Sequence, residues 1–376
     1  MRMTIFMTIF LIVFALVSFY ISKRFVKKLD LSKRIKRYIN IFLIINFIGI
    51  VGYLVGRYYI DMPNSLYFFF SVPIGVIFLF FCTAIIYDIS RVTIEKSSLT
   101  KQRRKFFKKS LDLFALFTAT ALTARSLYEA RFVQIEQVKI ALKNLKKSYK
   151  IVQLSDIHIG GLIDAKFIGD IVNKVNSLRP DVVVITGDLI DIKLSSALDS
   201  LEKLRDLKST YGTYFIVGNH EYFHNIEGII STVKSLGITV LENENVYIGK
   251  ENEGFTLAGV YDVFGYRVDK YKPDLQKALE NKEIGSPTIL LAHQPRYIEE
   301  VKEGVDLVLS GHTHGGQLYP FKFLVQIVQP YISGLHRHRK NLQIYVNKGT
   351  GFWGPPMRLG ATSEITSILI EPEKSL

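Results

Sequence analysis

Residues 305–317, VDLVLSGHTHGGQ, decide how this chain is read. Residues 305–309 form a short apolar run that stops at Ser310-Gly311, and His312 and His314 follow with one residue between them. In extended backbone such an i, i+2 pair points both side chains to one side. The flanking glycines let the main chain approach whatever the imidazoles hold. Neutral imidazole is the commonest protein metal ligand, so the segment is half of a metal site that needs partners elsewhere.

The partners recur after other apolar runs. Beyond residue 130 the pattern is strand, loop, helix, repeated. Strands are expected at 131–140, 150–154, 181–186, 213–217, 256–260, 288–292, 306–309, 342–346 and 365–370. Helices are expected at 164–178, 195–207, 226–236, 274–280 and 296–302. This alternation gives an α/β fold, whose ligand sites gather beyond the carboxyl ends of strands. Five of those ends carry Asp156 and His158, Asp188 and Asp191, Asn219 with His220 and Glu221, His293, and His312 with His314. Five of the chain's eight histidines fall there. A helix-capping Asp or a loop His explains one such residue; it does not explain five strand ends in register.

Asp, Asn and His without Cys suit a borderline or hard divalent ion such as Mn, Fe, Zn or Co. The seven residues Asp156, His158, Asp188, Asn219, His293, His312 and His314 exceed one tetrahedral site. They fit two sites sharing a carboxylate. Two such cations about 3.5–4 Å apart serve displacement at phosphorus. The chemistry expected is hydrolysis of a phosphate ester or anhydride.

The N-terminal part has a different character. Apolar runs at 3–21, 39–60 and 66–87 are each near the roughly 20 residues that cross a bilayer. A weaker run at 111–127 contains Asp112. The expected organisation is therefore a transmembrane region of about four helices over 1–128, then a catalytic domain over 130–372. The net charge of +14 lies wholly in residues 1–110, which hold 18 Lys+Arg and four acids. A basic footprint on the C-terminal part, which nucleic-acid binding favours, is missing. Cys82 is the single cysteine, which excludes an intramolecular disulfide. Short Lys/Arg-rich loops stay in the cytoplasm. With basic loops at 22–38 and 88–110 and a turn at 61–65, an even number of spans places the catalytic domain outside. Residues 102–108, QRRKFFK, resemble a twin-arginine export signal in Arg103-Arg104 and the aromatic residues behind them. Positive-inside bias alone also generates such a stretch. Gly49, Gly52 and Gly56 fall at helix-packing spacing.

The series D-x-H, G-D-x-x-D, G-N-H-E, H and G-H-x-H, in this order over about residues 130–372, resembles the calcineurin-like metallophosphoesterases. The Gly315-Gly316-Gln317 sequence, the 330–334 segment PYISG and the Gly/Pro-rich 346–360 segment are similar to a bacterial membrane-associated branch that includes UDP-2,3-diacylglucosamine pyrophosphatase-like enzymes. The resemblance implies a four-layer αββα sandwich of two facing sheets flanked by helices. It implies one metal held by Asp156, His158, Asp188 and His314, and a second held by Asp188 as bridge with Asn219, His293 and His312. It makes His220 the general acid, oriented by Glu221 or Asp156, with Asp191 shaping its loop.

Other residues stay open. His224 either supports the site or is a solvated loop residue. His336 and His338 lie in a basic run expected to be solvated. Arg358 either holds a phosphate oxygen or makes a structural ion pair. Residues 321–332 form a lid, a lipid-contacting edge or ordinary core. The expected partners are the lipid bilayer and a small or lipid-linked phosphate substrate, with no nucleic acid. The competing functions are a nucleotide phosphodiesterase, and a transporter or sensor whose metal domain is regulatory. The scarcity of intramembrane charge counts against an ion pathway.

Overall fold

A computed structural model describes residues 2–60, 62–160 and 162–373. Asp61, the first residue of the expected outer turn, lies outside the described residues. The chain divides into a helical unit, residues 1–129 with 354–359, and a second unit, residues 130–353 with 360–376.

The helical unit contains α1 (Arg2–Tyr20), α2 (Lys33–Tyr58), α3 (Asn64–Lys96) and α4 (Lys101–Glu129). Helical turns continue from α1 through Lys28, and Ser32 Oγ caps α2 by accepting from Ile35 N at 3.3 Å. Much of the two expected basic loops is therefore helical. Within those two loops the described residues leave the helix only around 29–32 and 97–100. Three helices are long and apolar enough to cross a bilayer among the described residues: Thr4–Lys28, Lys33–Tyr58 and Asn64–Lys96. The fourth expected span lies in α4, which falls short because residues 111–127 include Asp112, Arg125 and three threonines. Even so, α4 runs back along α3. Lys108 meets Glu95 at 2.8 Å, Asp112 accepts from Tyr87 Oη at 2.6 Å, and Ala115 and Ala119 are buried in the bundle. The expected glycine packing is present. A Cβ at Gly49 would stand 2.7 Å from Pro73 of α3, and one at Gly52 would meet the Phe70 ring at 2.8 Å. The 354–359 segment clusters with these helices. There Met357 packs on Gly75, and Arg358, fully buried, donates its main-chain N–H to Ser126 O at 2.8 Å.

The second unit holds two six-stranded sheets. The first is ordered β1-β12-β2-β3-β4-β5 from β1 (Gln134–Leu142), β2 (Tyr149–Leu154), β3 (Val182–Thr186), β4 (Thr213–Ile216), β5 (Thr239–Val240) and β12 (Glu364–Pro372). The second is ordered β10-β11-β9-β8-β7-β6 from β6 (Glu244–Ile248), β7 (Phe255–Gly259), β8 (Thr288–Leu291), β9 (Leu307–Ser310), β10 (Gly334–Arg339) and β11 (Leu342–Val346). Their central strands are near-continuous apolar runs because both faces are covered. Val182 and Val184 of β3, with Ile289 and Leu291 of β8 and Leu307 and Leu309 of β9, fill the space between the sheets. Val183 and Ile185 instead face α5 (Ala165–Ser177), α6 (Leu194–Glu202) and α7 (Ile226–Ser235). Leu290 and Val308 point the other way, toward a short helical turn at Pro295–Glu300. That alternation yields helix, sheet, sheet, helix, the four layers expected.

The parallel register then positions the site. Leu154 pairs with Ile185, Thr186 with Ile216, and Leu291 with Leu309, so β2, β3 and β4 end level in one sheet and β8 and β9 end level in the other. Gln153 Nε2 of β2 donates to Ser310 O of β9 at 2.9 Å and ties the two sheets together at that edge.

Candidate metal centre

The five loops that follow these strands bring all seven expected ligands together with His220. Asp156, His158 and His314 offer atoms within 4.8 Å of one another, as do Asp188, His293 and His312. His158 Nε2 faces His314 Nε2 at 3.0 Å with the rings stacked, and His314 Nε2 lies 3.4 Å from Asp156 Oδ1. Asp188 Oδ2 stands 3.2 Å from His293 Nε2 of its own group and 3.8 Å from His158 Nε2 of the other, so it lies between the two. Asn219 Oδ1 reaches His293 Nε2 at 3.2 Å. His224 joins neither group.

The backbone is strained at this place. Asp156, His158, Asp188, His312 and His314 have φ of 50°, 53°, 52°, 69° and 50°. The left-handed region costs a non-glycine residue about 1–3 kcal/mol, and such conformers persist where the surroundings over-determine them. Here hydrogen bonds do so. Asp156 N donates to Gly187 O at 3.0 Å, His158 N to Asp188 O at 3.0 Å, and His312 N to the Asp156 carboxylate at 2.8 Å. Gly311 is required by space, since a Cβ there would overlap Ser155 Oγ and the Asp156 carboxylate.

His293 Nδ1 lies 2.7 Å from Thr186 O. Donation to that carbonyl turns Nε2 toward Asp188 and Asn219, as a metal-ligating imidazole commonly does when its other nitrogen is held by a backbone carbonyl. The electrostatics ask for positive charge. Burial alone would raise the Asp188 carboxyl, but His293 and His220 beside it hold it well below the usual range. Burial pushes the Asp156 carboxyl up to about 6. Burial would lower His293, yet Asp188 draws it well above the ordinary imidazole value. Burial and the nearby His293 push His312 down to about 3, which leaves its lone pair free. Buried carboxylate oxygens and imidazole nitrogens that face one another are costly without a proton or cation between them. The residues present therefore fit divalent cations.

His220 is positioned differently from the expectation. Its Nδ1 lies 2.7 Å from Asp191 Oδ1, so Asp191 orients it, not Glu221 or Asp156. The Glu221 carboxylate instead accepts from the N–H groups of Gly218, Asp188, Leu189 and Ile190 at 2.6–3.2 Å, locking two ligand loops to each other. Burial and the Asp188 charge push its carboxyl up to about 7. Asp156 is engaged by Ser155 Oγ at 2.6 Å. The G-D-x-x-D spacing carried the signal for Asp191, which lies three residues after a ligand in the same loop. His336 and His338, expected in a solvated run, sit on β10, where His336 stacks on Tyr331 at 4.7 Å.

The sequence model of the calcineurin-like phosphoesterase family matches residues 149–316, which include every one of these ligands. A metallophosphoesterase of Helicobacter pylori is 40% identical over 94% of this chain and 95% of its own length. The chain belongs to the calcineurin-like metallophosphoesterases. A Campylobacter jejuni metallophosphoesterase is 32% identical over 94% of this chain and 95% of its own. A Bos taurus transmembrane protein with a metallophosphoesterase domain is 35% identical over 73% of this chain and 65% of its own. The chain is thus a metal-dependent phosphoesterase with apolar helices ahead of the catalytic domain.

Proposed function

We propose that this phosphoesterase holds two divalent ions, acts on a lipid-linked or other small phosphate ester or anhydride, and works at the outer face of the membrane that anchors it. The observation that carries the reading is Asp188, whose carboxylate lies within reach of both ligand groups. Asp156, His158, Asp188 and His314 would hold one ion, and Asp188, Asn219, His293 and His312 the other. Such ions, when bound, neutralise charge on the phosphoryl oxygens and supply a nucleophile near neutral pH. The protein's own part is to hold the ligands in strained, pre-set positions and to deliver a proton. His220 donates that proton to the leaving oxygen while Asp191 fixes the ring through Nδ1.

The antiparallel course of α4 along α3 supports four crossings and hence an external catalytic domain. Arg104 donates to Ser97 O and Leu99 O at the end of α3, which accounts for one arginine of the pair without export. Hydrolysis by the full chain is to be measured on phosphomonoesters, phosphodiesters and lipid pyrophosphates with Mn, Zn, Co or Fe added, beside metal analysis of the protein. Turnover with two metals per chain is expected; metal bound with no turnover on any substrate overturns the reading. Protection of the catalytic domain from external protease in intact cells would reverse its side.

A further inference from the structure

A sixth strand end also delivers an acid. β7 runs parallel to β8 with Gly259 opposite Leu291, so the loop after β7 emerges beside the loop that carries His293. That loop holds Asp262, which is 2% exposed. Asp262 Oδ1 accepts from Phe264 N at 2.7 Å and from Gln294 Nε2 at 2.9 Å. Gln294 directly follows His293 and is held in turn. Its Oε1 accepts from Gln329 Nε2 at 3.4 Å, and Gln329 Oε1 accepts from Arg296 N at 3.1 Å. Gln329 closes the short helix Lys322–Val328 and is the one buried residue of the 321–332 segment. The second oxygen of Asp262, Oδ2, is buried with no hydrogen-bond partner among the described residues. Asparagine would serve both bonds of Oδ1 equally well. What asparagine lacks is the charge, and a buried carboxylate is costly unless a proton or cation compensates it. Burial pushes the Asp262 carboxyl up to about 6, and the largest pull the other way comes from His293.

We propose that Asp262 is a positioning residue of the metal centre: acting through His293, its charge strengthens the hold of Asp188, Asn219, His293 and His312 on their ion. The inference rests on the two-ion reading of the site. A cation draws electron density from the imidazole that binds it, and a carboxylate close to the ring favours that donation. The coupling is reciprocal, since the ion supplies the positive charge that Asp262 lacks. Two consequences separate this role from a part in the fold. Removing the charge weakens one ion and spares the other, because Asp262 reaches the centre through the His293 loop. The metal-free protein loses no stability, because the change removes an uncompensated buried charge.

The full-length protein, stripped of metal in lipid nanodiscs, is titrated with Mn, the free ion being read by electron paramagnetic resonance. Two ions per chain are expected, with Asn219→Ala lowering the affinity of one and His158→Ala that of the other. Asp262→Asn is expected to weaken, by about tenfold or more, the ion that Asn219→Ala weakens, and to leave the other unchanged. Gln294→Ala, which keeps the charge, is expected to have a smaller effect than Asp262→Asn. Metal-free Asp262→Asn is expected to unfold at or above the wild-type temperature. Asp262→Ser, also uncharged, gives the same comparison in a second background. Unchanged affinities, equal loss at both positions, a lower unfolding temperature without metal, or failure of both variants to fold overturns the proposal. One ion per chain, weakened by Asp262→Asn, would leave Asp262 its role while the two-ion reading falls. Two ions indifferent to Asp262→Asn would do the reverse, and no bound metal would overturn both.

Discussion

The two sheets of the catalytic unit contribute unequal chemistry to one site. The loops after β2, β3 and β4 supply the carboxylates Asp156 and Asp188, the amide of Asn219, and His220, the proposed acid, with its partner Asp191. The loops after β8 and β9 supply only imidazoles, His293, His312 and His314. The first sheet therefore carries the negative charge, and the second carries ligands that are useful only when neutral. Neither half is a site alone. What joins them is a polar seam at the shared edge, where Gln153 reaches Ser310 O, His293 reaches Thr186 O, and Asp156 accepts from His312 N. A site built across two sheets makes metal affinity a report on how the sheets meet.

The largest break comes from the residue that serves both groups. Asp188→Ala should take hydrolysis to background and leave less than one metal per chain, checked by activity beside metal analysis. Retention of both metals would show that Asp188 is not the bridge. His220→Ala should cost about 10²–10⁴ in kcat while metal content stays unchanged, because a general acid contributes on that scale. The loss should be greatest for substrates with poor leaving groups. An equal loss for good and poor leaving groups would remove the proton-donor role.

A third change tests the first sheet's rigidity. Glu221 accepts four main-chain hydrogen bonds from two ligand loops. Glu221→Gln replaces one oxygen by a donor that faces other donors, and an unsatisfied buried group costs about 1–3 kcal/mol. A fall in thermal stability of a few kcal/mol with weakened binding of both metals is expected. Stability lost with metal affinity intact would make Glu221 a fold residue only.

The clustered Asp, Asn and His residues are legible in the sequence because metal chemistry demands particular residue types at strand ends. The core strands were legible too, since burial on both faces leaves a continuous apolar run. What stayed hidden depends on contacts remote in sequence or on backbone angles. Asp191 and His220 lie 29 residues apart, and the G-D-x-x-D spacing that singles out Asp191 does not say that His220 is its partner. Glu221 looked like an orienting acid; its real partners are N–H groups, which have no sequence identity. The left-handed φ of Asp156 or His314 is set by neighbours, not by residue type. β10 reads in the sequence as a basic run because charges line the edge of a sheet, as edge strands favour. In α4 Asp112, Arg125 and the threonines between them weaken an apolar signal that the packing of Ala115 and Ala119 reveals.

The smallest effect tests the hydrogen bond that aims the acid. Asp191→Asn keeps an oxygen near His220 Nδ1 but removes the charge that stabilises the ring once it is protonated. Outer partners of this kind are worth about 10–100-fold. The expected result is a fall in kcat within that range, concentrated on poor leaving groups, with metal content and KM little changed. Asp191 also lies within 4.8 Å of His158 and His220 in a third group of ligand atoms. Loss of metal in the variant would therefore assign it to the ion site. A loss of kcat alone would confine it to His220, and would divide the first sheet's loops into those that hold charge and the one that moves a proton.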